Sequence, residues 1–86
     1  MNDDIEKARI MFKLARKDNW NNKYDRLEHF KRFQNLKEII KYLSKINWII
    51  IHSKQNYTGI SLNTEYKKEI IEFIETNLPE LKGIIK

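Results

Sequence analysis

The sequence predicts a small α+β domain, mainly helical, with a three-helix core, a β-hairpin and a C-terminal helix. Three observations predict it. Residues 35–46 place apolar and charged side chains on opposite halves of a helix. An aromatic and β-branched run at 48–52 follows directly and is answered by residues 57–62 across a polar tip. A further apolar stripe, Tyr66, Ile70, Phe73, Ile74 and Leu78, then returns at helical spacing. With 86 residues the chain has room for one domain, spanning 1–86, and one core.

The elements read in order as follows. The first helix covers residues 3–18. Asp3 or Asp4 caps it, and the acids of its first turn suit the helix dipole. Ile5, Ala8, Met11, Phe12 and Ala15 share one wide face. Ile10 and Leu14 fall outside that arc and point to a second covered surface. The asparagines of residues 19–22 break the helix. A second helix over 24–33 turns Leu27, Phe30 and Phe33 inward. The pair Gln34-Asn35 makes the turn into the third helix, residues 35–46. Its apolar half is Leu36, Ile39, Ile40, Tyr42, Leu43 and Ile46, and its polar half Lys37, Glu38, Lys41, Ser44 and Lys45. Asn47 tolerates the left-handed conformation that ends helices. Strands at 48–52 and 57–62 follow, joined by Ser53, Lys54, Gln55 and Asn56. Asn63 or Thr64 caps the last long helix, which runs to residue 77. Pro79 starts a terminal turn with Leu81, Ile84 and Ile85 on its apolar side.

Composition narrows the function classes. Cysteine is absent, which excludes a disulfide-stapled scaffold and thiolate metal sites. The longest purely apolar run is residues 48–51, far short of a bilayer span, and residues 1–6 lack the basic-then-apolar layout of a signal peptide. The expectation is a cytoplasmic protein without membrane association. His29 and His52 are the only histidines, and neither sits in a metal-ligand spacing. Two glycines leave no room for a phosphate-cradling loop, and no nucleophile motif occurs. The expectation is therefore no enzyme, no cofactor, no metal and no small-molecule substrate.

The formal net charge is +5 and the sequence pI is about 9.5. Residues 1–30 hold seven Lys/Arg against six Asp/Glu, residues 31–63 six against one, and residues 64–86 four against five. The excess therefore sits in the middle third, which favours a polyanionic partner there.

That same stretch carries a family likeness. Residues 36–70, LKEIIKYLSKINWIIIHSKQNYTGISLNTEYKKEI, resemble the winged helix-turn-helix superfamily, most closely the multiple-antibiotic-resistance-type and arsenic-type repressors. In those proteins a recognition helix ends in a leucine, a turn residue follows, and a strand opens with an apolar residue. Leu43, Asn47, and Trp48 with Ile49 occupy those places. The wing closes there with an apolar-x-Leu-Thr strand leading into a helix, a shape that Ile60-Ser61-Leu62-Asn63-Thr64 shares. Asn47 stands where glycine is usual, and the Asp-x-Arg pair that often anchors the wing is missing. The resemblance implies a winged-helix fold and a sequence-specific regulator of transcription that binds double-stranded DNA.

The residues support a DNA partner on their own terms. A major groove accepts one α-helix with an apolar back and a cationic front, and residues 35–46 have both. Gln34 and Asn35 stand at the start of that helix, where bases are usually read. Lys37, Lys41 and Lys45 face phosphates or guanine edges. Lys31 and Arg32 meet the backbone from the preceding helix. Lys54, Gln55, Asn56 and the aromatic Tyr57 form the hairpin's contribution. Glu38 opposes phosphate unless it accepts from a cytosine amine. Lysines on an outer helix face are commonly just solvated, and the basic hairpin tip that follows tips the balance towards binding. Since one helix and one wing read few base pairs, a homodimer is expected, with Ile10 and Leu14 of helix one and Leu81, Ile84 and Ile85 of the tail as its surfaces. Heavy use of Ile, Lys and Asn without Val fits an AT-rich genome, such as that of a virus, plasmid or mobile element. The alternative is a small protein-interaction module, an immunity protein or an inhibitor of a host enzyme. A helical or irregular 48–62 segment would favour it.

Overall fold

The computed structural model describes residues 3–85; Met1, Asn2 and Lys86 of the expected domain lie outside the described residues. Three α-helices and a three-stranded antiparallel sheet make a small α+β domain. Helix α1 is Asp4–Arg16, β1 Asp25–Arg26, α2 Leu36–Lys45, β2 Ile49–Ser53, β3 Thr58–Leu62 and α3 Lys67–Asn77. Short 3₁₀ turns precede α2 (Leu27–Phe30), open α3 (Thr64–Tyr66) and follow it (Pro79–Leu81). Among the described residues no helix is long and apolar enough to cross a membrane.

Helix α1 starts with Asp4 and Glu6 in its first turn and ends with Lys13 and Arg16 in its last, both signs favourable to the dipole. Asp18 ends it in the left-handed conformation, φ 59°. The Asp18 and Asn19 amides then donate back to the Ala15 and Leu14 carbonyls. Helix α2 ends in the same way. Asn47 takes φ 67°, and the amides of Asn47 and Trp48 donate to the carbonyls of Ser44 and Leu43. Asn63 caps the final helical segment by accepting from the Glu65 amide at 3.0 Å.

The expected helix over 24–33 is replaced by β1 and a 3₁₀ turn. Asp25 pairs with Ile60 and Arg26 with Gly59, so β1 becomes one edge of a sheet ordered β1-β3-β2. Strand β2 pairs with the other side of β3 in the register Ile49–Leu62 to Ser53–Thr58. Competition from an open strand edge outweighs helix propensity here. The expected helix has only ten residues, and an isolated helix that short is marginal.

The core gathers Met11 and Leu14 of α1, Phe30, Ile39 and Leu43 of α2, Ile60 and Leu62 of β3, and Ile70 and Ile74 of α3. Helix α1 is covered on two sides because Ile10 and Leu14 are fully buried together with Ala8 and Met11. Ile10 and Leu14 are thus consumed by the protomer's own core and offer nothing to a second copy. In the tail, Ile84 is 54% exposed, while Leu81 and Ile85 pack partly against the core. Tyr42, expected on the apolar half of α2, is 49% exposed, and the Lys7 ammonium lies 4.2 Å from its ring centroid.

Candidate nucleic-acid interface

The exposed side of α2 carries Lys37, Lys41 and Lys45 at four-residue intervals, which sets them in one stripe along the axis. All three are exposed, as are Lys31, Arg32, Gln34 and Asn35 before the helix and Lys54, Gln55 and Asn56 at the hairpin tip. None of the six cations Lys31, Arg32, Lys37, Lys41, Lys45 and Lys54 makes an ion pair with a carboxylate of the described residues. Their positive potential is therefore left for an external anion.

The fold brings part of this set together. Lys31 and Leu36, at the start of α2, line one groove with Asn56, Tyr57 and Thr58 of the hairpin, along with Leu27 and Glu28. Arg32 departs from its neighbour. It lines a different groove, with Arg9, Lys13 and Arg16 of α1. The start of α2 is also occupied by α1. The Gln34 backbone amide donates to Glu6 at 3.0 Å, and the Asn35 side-chain amide donates to Asp3 at 3.3 Å. Glu6 thereby satisfies an amide at the turn into α2, the end where a carboxylate is electrostatically favoured.

Tyr57 is only half-buried, not a free aromatic. Its hydroxyl shares a 2.7 Å hydrogen bond with that of Tyr24, and the Arg26 guanidinium lies 4.2 Å from its ring centroid. The bond to Tyr24, then burial, raises the Tyr57 phenol above its usual range.

Around Tyr57 is a cluster that the sequence reading missed. Tyr24 stacks on His52 with centroids 4.6 Å apart, and the Lys54 ammonium lies 5.4 Å from the Tyr24 centroid. The buried Ser61 hydroxyl donates to the Asn21 carbonyl at 2.6 Å, so it accepts from His52 Nε2 at 2.9 Å. That assigns a proton to Nε2 of His52. Tyr24 reaches this place because Gly59, opposite His52 in the register, has no side chain. A Cβ there would stand 2.3 Å from Tyr24 Cδ1. A glycine inside a strand is the signal that marks such a close approach.

Comparison with protein-family models, curated proteins and solved structures found no match.

Trp48 packs edge-on against Phe73 at 5.6 Å, and Trp20 bridges to Leu62 beneath the Lys67 ammonium. Both tryptophans serve the junctions between elements.

Proposed function

We propose that the chain is a duplex-DNA-binding module of the winged helix-turn-helix kind and a small regulator of transcription, with a viral, plasmid or mobile-element setting. Helix α2 enters the major groove, and the β2–β3 hairpin lies over the adjoining phosphates. The observation that carries this reading is the stripe of Lys37, Lys41 and Lys45, free of ion pairs with the described carboxylates, beside a hairpin tip bearing Lys54. The element order and the β1-β3-β2 sheet are compatible with the fold. The 3₁₀ turn Leu27–Phe30 then stands for the first helix of the motif.

Asn35 acts in this reading only after Asp3 releases its side-chain amide, whereas Glu6 holds only the backbone amide of Gln34 and so fixes the turn that presents the Gln34 side chain. Tyr57 acts through Arg26 rather than by stacking. A homodimer doubles the length of DNA read. It is built from exposed residues such as Ile84, since Ile10 and Leu14 are buried.

The test is fluorescence anisotropy with labelled random duplex at several salt concentrations, beside a Lys37/Lys41/Lys54→Ala variant. Binding is expected to weaken with salt. The variant's log–log slope should fall by about three, close to one unit per lost phosphate contact. Absence of binding at low salt refutes the DNA reading and leaves an acidic protein as the partner of this face.

A further inference from the structure

A second basic groove lies away from the hairpin, between α1, the turn before α2, and the 3₁₀ turn after α3. It is an open groove of about 350 Å³, a size within the range of roughly 300–1,000 Å³ typical of small-molecule clefts. Phe12, Phe33, Leu78 and Leu81 supply apolar walls. Arg9, Lys13, Arg16 and Arg32 supply four cations, against the single carboxylate of Glu80. Arg16 and Arg32 make no ion pair with a described carboxylate, and Arg9 has only Glu6, at 3.5 Å. Lys13 is held at the back, donating to the His29 carbonyl, with its ammonium 4.4 Å from the Phe30 centroid. Burial lowers its pKa most; Lys17, Arg32 and Arg16 lower it further, against the opposing pull of Asp25. Among the described residues, the four cations here therefore outnumber the nearby carboxylates of Glu6 and Glu80.

We infer that this groove binds a small amphipathic anion, a carboxylate on a hydrocarbon chain of the fatty-acid type. The chemistry selects that class on two counts. A carboxylate receives charge-assisted, forked hydrogen bonds from guanidinium groups. A hydrocarbon body displaces water from the Phe12, Phe33, Leu78 and Leu81 surfaces. A bare inorganic anion gains nothing from those surfaces, and an amphipathic cation is repelled by the arginines. The site stands independently of DNA. Only one consequence rests on the DNA reading: Arg32 and Phe33 lead directly into the Gln34-Asn35 turn, so an occupant cancels Arg32's charge beside α2 and weakens duplex binding.

The experiment titrates the protein with sodium octanoate and follows its ¹H–¹⁵N amide spectrum, with octylammonium and inorganic phosphate in parallel. Octanoate is expected to give saturable shifts at Arg9, Phe12, Arg16, Phe33 and Leu81, and the other two probes much smaller ones. An Arg16→Gln/Arg32→Gln variant, both positions exposed and its spectrum otherwise native, should bind octanoate roughly tenfold more weakly, while Lys41→Gln binds as the native protein does. Unsaturable or scattered shifts overturn the proposal. So do equal responses to octylammonium or phosphate, or full affinity in the double arginine variant. Octanoate binding in a protein that ignores duplex DNA upholds the groove and refutes only the DNA reading.

Discussion

Asp25 sits where three neighbours converge. Its Oδ1 accepts from the His29 ring at 2.6 Å and from the Arg26 amide at 2.8 Å, and Lys17 stands 3.5 Å from Oδ2. Its side chain is only 12% exposed. Burial alone would raise its pKa, but these partners together lower it below the ordinary 3.8. Folding therefore favours the ionised form. The stabilisation is complete well above 3.8 and is lost as the pH falls through the lower folded value. Asp25→Asn should cost about 1–3 kcal/mol at neutral pH, with the gap to the native protein closing in acid, as urea unfolding across pH 2–7 would show (roughly the window set by an ordinary carboxyl). Gly59 makes a second residue-scale prediction. Gly59→Ala forces the Tyr24 ring aside and should destabilise by about 1–3 kcal/mol. In a Tyr24→Ala background the same change should cost far less, so a double-mutant cycle isolates the contact. Gly59 was visible in the sequence as a glycine within a strand; its partner Tyr24 was not, because contact across 35 positions leaves no local pattern.

At the scale of elements, helix ends and hairpin strands follow local chemistry. Asn47 was legible as the end of α2, and it takes the left-handed conformation there. Asn47→Gly should be neutral or slightly stabilising, and Asn47→Ala should lose about 1 kcal/mol, since a Cβ without a compensating side chain is strained at φ 67°. Thermal unfolding of the two variants measures this directly. The β2–β3 pair was equally legible from its aromatic and β-branched residues, and the helical or irregular 48–62 segment that would favour a protein-interaction module is not what forms. The segment 24–33 was misread as a helix. Its apolar spacing is short enough to suit either a helix or an extended stretch with a turn. The unpaired edge of β3, which is distant in sequence, decided between them.

Over the whole molecule, charge and burial divide the surface. The ion pairs within the described residues involve α1, the loop after it, β1 and the 3₁₀ turn that follows β1, whereas α2 and the hairpin tip keep their lysines unpaired. If the α2 face is the DNA surface, a Lys45→Ala change should reduce the salt dependence of binding by about one unit without altering the unfolding midpoint, because Lys45 is exposed and unpaired. The candidate residues fall into separate groups that sequence order conceals. Lys31 faces the hairpin tip, and adjacent Arg32 faces a groove on α1.

The sequence by itself determined the α+β class, the order of α1, α2, the hairpin and α3, the helix stop at Asn47, the terminal turn begun by Pro79, and the concentration of positive charge in the middle third. Each is set by periodicity, backbone conformation or composition, properties carried by neighbouring residues. Tertiary structure alone decided that residues 25–26 join a sheet, that Ile10 and Leu14 lie inside, that Asp3 and Glu6 grip the start of α2, and that Tyr24, His52 and Tyr57 form one cluster. Those outcomes depend on which surfaces meet, because a polar or apolar side chain is satisfied only by a partner brought to it from elsewhere in the chain.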